Sequence, residues 1–130
     1  CDGENIHPRL EIAEVPDGVL SFALIVDDPD ATHGVTFTHW TIWNIPAHTR
    51  VIEEGAVPEE ATQGTTDFGS IGYGGPCPPR GSKPHHYHFK LYALDSTLPL
   101  AAGATKSELE SAIEPHILAK TEFIGLYSRE

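Results

Sequence analysis

Three strand-length segments constrain the fold of this chain more than any other feature. The first, Val19 to Val26, is almost continuously apolar, which is typical of a buried strand. The second, Phe37 to Ile45, is rich in β-branched and aromatic residues and ends at Pro46. The third, His86 to Leu94, alternates, so one face would carry Tyr87, Phe89, Leu91 and Ala93. These segments predict a mostly β protein.

A single helix is predicted late in the chain. Thr105 and Glu108 have the spacing of a capping box, with Thr105 at the N-cap. The helix should continue to about Glu114, where Pro115 should break or restart it. Phe123 to Tyr127 is a candidate for the last strand. This order favours an antiparallel or mixed sheet sandwich over a doubly wound α/β fold.

The connections between these segments contain a candidate pocket. The run Asp27-Asp28-Pro29-Asp30 is typical of a turn after the first strand, and residues 46–70 are predicted to be a long loop. Residues 71–89 pass from glycines through a proline-rich corner into the third strand. Glycine lets a backbone approach a ligand closely, and proline fixes the loop dihedrals. We therefore predict a small rigid pocket with polar walls.

Size and charge limit the classes of function. A chain of 130 residues predicts one domain. Its net charge of -11 disfavours nucleic-acid binding, because such a surface repels phosphodiester backbones. A small anion in a local pocket remains compatible, because distant charges are screened. No apolar run reaches the length of a membrane span and no signal peptide is visible, so we expect a cytoplasmic protein.

Several polar side chains are candidates for a binding site. Asp28 and Asp30 are two residues apart, so they either share a proton or orient a histidine, or they belong to a solvated turn. His39 lies within a predicted strand and is either a structural histidine or a ligand contact. His85 and Tyr87 would share a strand face and could donate hydrogen bonds to an anion.

Catalytic and metal motifs are weak in this sequence. His86 and His88 form an H-x-H pair, which leaves a metal site or a histidine-based hydrolase as an alternative, although the spacing to Gly81 does not fit a cupin. The kinase-like triplet Asp67-Phe68-Gly69 lacks a companion catalytic loop in so short a chain. We expect no cofactor and no catalytic reaction.

The two cysteines, Cys1 and Cys77, lack C-x-x-C spacing. They are reduced thiols, or a disulfide closing most of the chain, which would contribute about 4 kcal/mol in the chain-entropy model. A third interpretation is that Cys1 is a lipidated mature N-terminus.

Taken together, three blocks of sequence resemble the phosphatidylethanolamine-binding protein family, also called Raf-kinase-inhibitor-like proteins. The blocks are D-P-D-A at Asp28 to Ala31, H-W at His39-Trp40, and G-Y-G-G-P-C-P-P-R-G…H-H-Y at Gly72 to Tyr87. Their order and spacing both fit, and the likeness spans nearly the whole chain. The opening C-D-G-E-N-I and the final I-G-L-Y are similar to the bacterial and archaeal branch.

The resemblance implies a fold and a pocket. The fold would be a β-sandwich or sheet with one or two short helices near the C-terminus, and the pocket would accept phosphate-like head groups, acetate and similar small anions. Carried over by matching position, the pocket would be lined by Asp28, Asp30, His39, Gly75, Pro78, His85 and Tyr87. Family members are binding proteins and regulators of kinases or serine proteases, so a second function is protease inhibition through an exposed loop within residues 48–70.

Three departures from the family pattern stand out. Thr32 replaces a proline found in many members, and Cys77 replaces a glycine found in eukaryotic members. We also expect residues 1–130 to form a single domain of this family that lacks its first N-terminal strand, which would expose a sheet edge or favour a homodimer.

Overall fold

A five-stranded antiparallel sheet forms the centre of the molecule. A computed structural model describes residues 9–29, 36–67, 69–73 and 85–127, with the backbone alone at 85, 86 and 123–127. The elements are β1 (Leu10–Glu11), β2 (Ser21–Asp28), β3 (Phe37–Pro46), β4 (Val51–Ile52), β5 (Thr62–Gln63), β6 (His85–Leu94), α1 (Lys106–Ile113), a 3-10 helix (Glu114–His116) and β7 (Ile117–Tyr127). The large sheet has the order β5-β3-β2-β6-β7, and β1 pairs with β4 in a small second sheet.

Each face of the large sheet is covered by a different layer. Alternate residues of β2, Phe22, Leu24 and Val26, pack in a core cluster with Leu10 and Ile52 of the small sheet. The opposite face of β2 packs in a second cluster, which includes Ala23, Ile25, Trp43, Leu109 and Ile113. Helix α1 therefore lies on one face of the large sheet and the small sheet on the other, which gives the predicted mostly β architecture.

The predicted helix is confirmed together with its cap. The Thr105 Oγ1 accepts a hydrogen bond from the Glu108 backbone N–H at 3.2 Å, and the Glu108 carboxylate accepts from the Thr105 N–H at 3.0 Å. The α-helix ends at Ile113, and Pro115 lies in the 3-10 turn that follows. None of the helices in the described ranges is long and apolar enough to cross a membrane.

The strand predictions hold for the central segments, but their boundaries need correction. The first strand begins at Ser21 and continues through Asp28, although Asp27 and Asp28 were predicted to turn. The last strand begins at Ile117 and is longer than predicted. The segment 46–70 also contains β4 and β5, because these two-residue strands pair with β1 and β3.

A buried ion cluster explains why β2 continues past its apolar run. The side chain of Asp27 is 1% exposed, and its Oδ2 accepts from the Nζ of Lys90 at 3.2 Å and of Lys106 at 3.0 Å. Burial lowers the pKa of Lys90, but the hydrogen bond and the negative charge of Asp27 raise it more, so the net pKa lies above its ordinary value. The two ammonium groups stabilise a carboxylate that would otherwise disfavour a buried strand.

A bulge near the end of β3 fixes the connection to the 98–100 segment. The β2–β3 register shifts between Phe22 and Leu24, and Asn44 in the shifted part of β3 has a φ of 57°. Asparagine tolerates this left-handed conformation better than most residues. Its amide donates to the carbonyl of Leu98 at 2.9 Å and accepts from the Leu98 N–H at 2.7 Å.

Candidate functional site

The polar candidates lie at one end of the large sheet, where β2 ends and its neighbours β3 and β6 begin. Strand β2 is antiparallel to both β3 and β6, so its last residue lies beside the first residues of its two neighbours. This geometry brings together the regions of Asp28, His39 and Tyr87. All three residues are buried, with 2%, 5% and 5% of their surface exposed.

A β-bulge positions His39. Val26 is paired with Trp40 and Asp27 with Thr38, so His39 is the extra residue between two register positions. Such a bulge re-aims side chains locally. The His39 ring lies edge-on to the Tyr87 ring at a centroid distance of 5.1 Å and 80°, and Trp40 and Tyr87 belong to the same core cluster. The bulge thus brings the imidazole to the face of the sheet that carries Tyr87.

The register of β2 and β6 brings the Asp28 carboxylate to the same corner. Asp27 is paired with His88, so one step further along both strands places Asp28 beside Tyr87. Strand alternation gives Asp28 the face of Val26, and Val26 shares a core cluster with Tyr87. A carboxylate, an imidazole and a phenol therefore converge in one buried corner.

Asp67 fixes the start of β3, a role that sequence reasoning did not predict. Its Oδ2 accepts from the Thr38 backbone N–H at 2.8 Å, and its own N–H donates to the Thr38 carbonyl at 3.0 Å. These bonds hold the residue immediately before His39. Asp67 thus clamps the backbone of β3, and no local sequence pattern predicts this contact, because Thr38 lies 29 residues away in the chain.

Tyr73 and Gln63 support the neighbouring indole. The Trp40 Nε1 donates to the Gln63 Oε1 at 2.7 Å, and the Tyr73 ring lies edge-on to Trp40 at 5.7 Å and 88°. Burial raises the pKa of Tyr73 to about 12. Tyr73 belongs to the glycine-rich block, so that block begins at the wall of the same core cluster.

Most of the remaining predicted site residues lie outside the described part of the chain. Asp30, Gly75 and Pro78 lie outside the described residues, as do both members of the Cys1–Cys77 pair. The backbone of His85 pairs with Tyr127 at the start of β6. Of the predicted pocket, the structure therefore brings together the side chains of Asp28, His39 and Tyr87.

The histidines described in the structure do not form a metal centre. Within the described ranges no group of three or more His, Cys, Asp or Glu side chains is arranged to hold a metal ion. His88, one half of the H-x-H pair, has its Nδ1 3.0 Å from the Glu122 Oε2. That contact is an ion pair when the imidazole is protonated.

Comparison with known proteins decides the family. The family model described as phosphatidylethanolamine-binding protein matches residues 1–128. The chain belongs to this family. A UPF0098 protein of Pyrococcus horikoshii is 53% identical over 136 residues, covering 100% of this chain and 68% of the relative. The UPF0098 protein YbcL of Escherichia coli is 38% identical over 135 residues, covering 98% of this chain and 74% of the relative. The resemblance to the bacterial and archaeal branch is confirmed.

Solved structures confirm the fold of this family member. The crystal structure of Escherichia coli YbcL, described as a new member of the mammalian PEBP family, has a TM-score of 0.92 and 37% identity, covering 100% of this chain and 84% of that one. A putative phosphatidylethanolamine-binding protein homologue from Chlamydia trachomatis has the same TM-score and identity, covering 100% and 86%. The mostly β fold predicted from the sequence is therefore correct.

Proposed function

We propose that this protein binds a small anion, phosphate or a phosphorylated head group, without catalysing a reaction. The observation that carries the proposal is the convergence of Asp28, His39 and Tyr87 at one end of the sheet, each of them buried. Membership of a family described as phosphatidylethanolamine-binding supports the same ligand class. A cytoplasmic location remains part of the proposal.

The chemistry of the three groups suits a partly protonated ligand. An imidazole N–H and a phenol O–H can both donate to anion oxygens, and a protonated imidazole donates more strongly. A buried carboxylate repels a bare anion, so Asp28 favours a ligand that offers it a proton or an ammonium group. The corner therefore selects the dihydrogen phosphate monoanion or an ethanolamine-bearing phosphate over the hydrogen phosphate dianion.

Phosphate titration followed by histidine NMR tests the proposal. Saturable shifts should appear in wild type, disappear in His39→Gln and weaken in Tyr87→Phe. The first variant replaces an imidazole that can become positively charged with a neutral amide, and the second removes the phenol donor. His48→Gln is the matched control, since His48 lies on an exposed turn after β3. Since imidazole changes charge near neutrality, binding should strengthen as pH falls from about 8 to about 5.5. The absence of any saturable shift at millimolar phosphate would contradict the proposal.

Three ligands separate the chemistries within this class. Phosphate offers a proton, phosphoethanolamine offers an ammonium group, and acetate offers neither when it is ionised. We expect phosphoethanolamine to bind at least as well as phosphate and acetate to bind more weakly. Tighter binding of acetate would refute the role given to Asp28.

Regulation of a kinase or a serine protease remains a separate proposal. The segment 48–70, suggested as an inhibitory loop, is paired through β4 and β5 to other strands. A carboxypeptidase Y inhibitor crystallised with its cognate proteinase has a TM-score of 0.52 at 20% identity, which shows the shared fold alone. Inhibition assays on His39→Gln separate the functions, because a surface loop should act without the anion corner.

A further inference from the structure

A cleft of about 460 Å³ lies beside β4, at the end of β3 that is remote from His39. The last residue of β3, Pro46, lines this cleft. At about 3.3 Å per strand residue, Pro46 lies roughly 20 Å from His39. The cleft is therefore separate from the proposed anion site, and binding at the cleft does not depend on that proposal.

Three reverse turns form the wall of the cleft. The backbone N–H groups of Thr49, Ala56 and Ala61 each donate to the carbonyl three residues earlier, at 3.0 Å. In the second turn Gly55 has a φ of 72°, which a type II turn requires at its third position. The Arg50 guanidinium donates to two carbonyls of the first turn, at 2.8 and 3.0 Å. These bonds fix the shape of the cleft in the free protein, which lowers the entropic cost of binding.

The floor of the cleft is apolar and partly exposed. Val51 and Val57 keep 38% and 42% of their surface exposed, beside the buried Ile52. Small and cyclic side chains complete the apolar lining, namely Pro46, Ala56 and Pro58. Apolar surface that is exposed inside a concave site marks a place where a ligand buries its own apolar groups. The floor of the cleft thus suits an aliphatic side chain.

The rim of the cleft carries more negative than positive charge. Its ionisable residues are Glu53, Glu59, Glu60, Arg50 and His48. The Glu53 Oε1 accepts from the Arg9 Nε at 2.9 Å, so one rim carboxylate already binds a guanidinium of the chain itself. In the part of the chain that the structure describes, the side chains of Glu59 and Glu60 form no ion pair or hydrogen bond. Both carboxylates are exposed and available to a cation from outside.

We propose that this cleft binds a segment of a partner protein in which an aliphatic side chain is flanked by arginines. The apolar floor takes the aliphatic side chain. Glu59 and Glu60 take the guanidinium groups, which pair with carboxylates through two parallel hydrogen bonds. The net charge of -11 attracts a basic segment over a longer distance and repels anionic surfaces.

Capped peptides test the proposal in an NMR titration of the isotope-labelled protein. The probe is Gly-Arg-Leu-Arg-Gly, and the amide signals of Val51, Ala56 and Val57 should shift saturably with a Kd of about 1 mM at low salt. Gly-Arg-Ser-Arg-Gly and Gly-Glu-Leu-Glu-Gly should bind about tenfold more weakly or less, because each lacks one of the two features that the cleft recognises. Equal binding of the serine peptide would show a non-specific attraction between charges and would overturn the proposal.

Protein variants locate the binding in the same titration. Glu59→Gln/Glu60→Gln should weaken binding of Gly-Arg-Leu-Arg-Gly by about fivefold or more, and Val57→Ser by about fourfold. Glu110→Gln/Glu114→Gln is the matched control, since it removes the same two charges from exposed positions outside the cleft; its Kd should stay within about twofold of wild type. No saturable shift at about 10 mM peptide, or an unchanged Kd in both cleft variants, would refute the proposed partner.

Discussion

Replacing Asp27 by asparagine should destabilise the fold substantially while leaving its shape intact. The side chain is 1% exposed and accepts from two lysines at 3.0 and 3.2 Å. Removing one partner of a buried ion pair costs about 3–5 kcal/mol. Lys90 and Lys106 retain 26% and 23% exposure, so both ammonium groups can regain water and the loss should be lower. We expect about 2–3 kcal/mol, which is within the range of a single hydrogen bond to a charged group.

That loss is large enough to measure by thermal unfolding. The unfolding entropy is about 2.1 cal/mol/K per residue. Dividing the expected loss of unfolding free energy by the entropy for this chain length gives a fall in Tm of roughly 7–11 °C. Asp95→Asn is the matched control, because Asp95 forms a 2.9 Å contact with His116 at 48% exposure. Exposed pairs contribute about 0–1 kcal/mol. If Asp27→Asn and Asp95→Asn lowered the free energy of unfolding by the same small amount, the Asp27 charge would not be stabilising β2.

Three further changes have expected outcomes in the same unfolding assay. Thr105→Ala removes the N-cap acceptor of α1 and should cost about 1 kcal/mol. Gly64→Ala should cost about 3 kcal/mol or more, because its Cβ would lie 2.5 Å from the Ala104 carbonyl oxygen. Tyr73→Phe should change how the free energy of unfolding falls at alkaline pH. The pKa of Tyr73 is about 12 in the folded protein, so its contribution to stability is full below about pH 10 and is lost as pH rises through 12. Wild type should therefore lose about 1 kcal/mol more than Tyr73→Phe between about pH 9 and 11.

Each of these outcomes has a result that would refute it. A loss in Thr105→Ser as large as in Thr105→Ala would show that the methyl group and not the hydroxyl cap is responsible, because serine keeps the hydroxyl. Gly64→Ala with wild-type stability would mean that the segment beside β3 shifts freely. Parallel alkaline curves for wild type and Tyr73→Phe would show that Tyr73 does not titrate late.

The sequence predicted strand identity well because hydrophobic patterning dominates in the centre of a sheet. Phe37–Pro46 and His85–Leu94 follow the predicted segments within a residue, and the capping box located α1 because it needs only local spacing. The predicted strand boundaries were wrong where long-range contacts override the local conformational preference of the residues. Asp27 read as a turn residue, since nothing near it in the chain reveals Lys106, which is 79 residues away.

The sequence nominated residues for the candidate site but did not show how they meet. Sequence likeness picked out Asp28, His39 and Tyr87, whereas spacing alone left His39 on an unassigned face. A bulge depends on the pairing of two strands, so no pattern within β3 reveals it. The clamp from Asp67 to Thr38 was missed for the same reason, because it joins backbone groups 29 residues apart.

Because His39 is the extra residue of a bulge, it can contribute to the candidate site without taking part in the pairing of β2 and β3. An ordinary strand residue cannot be deleted without reversing the faces of everything beyond it. His39 is the extra residue of β3, so excising it should let Thr38 and Trp40 continue the ladder without interruption. Substitution keeps the local bend, whereas excision would straighten the strand and leave the neighbouring core residues on their own faces. The imidazole therefore occupies a position that the surrounding architecture can do without, which makes it a natural place to graft a different ligand-binding group.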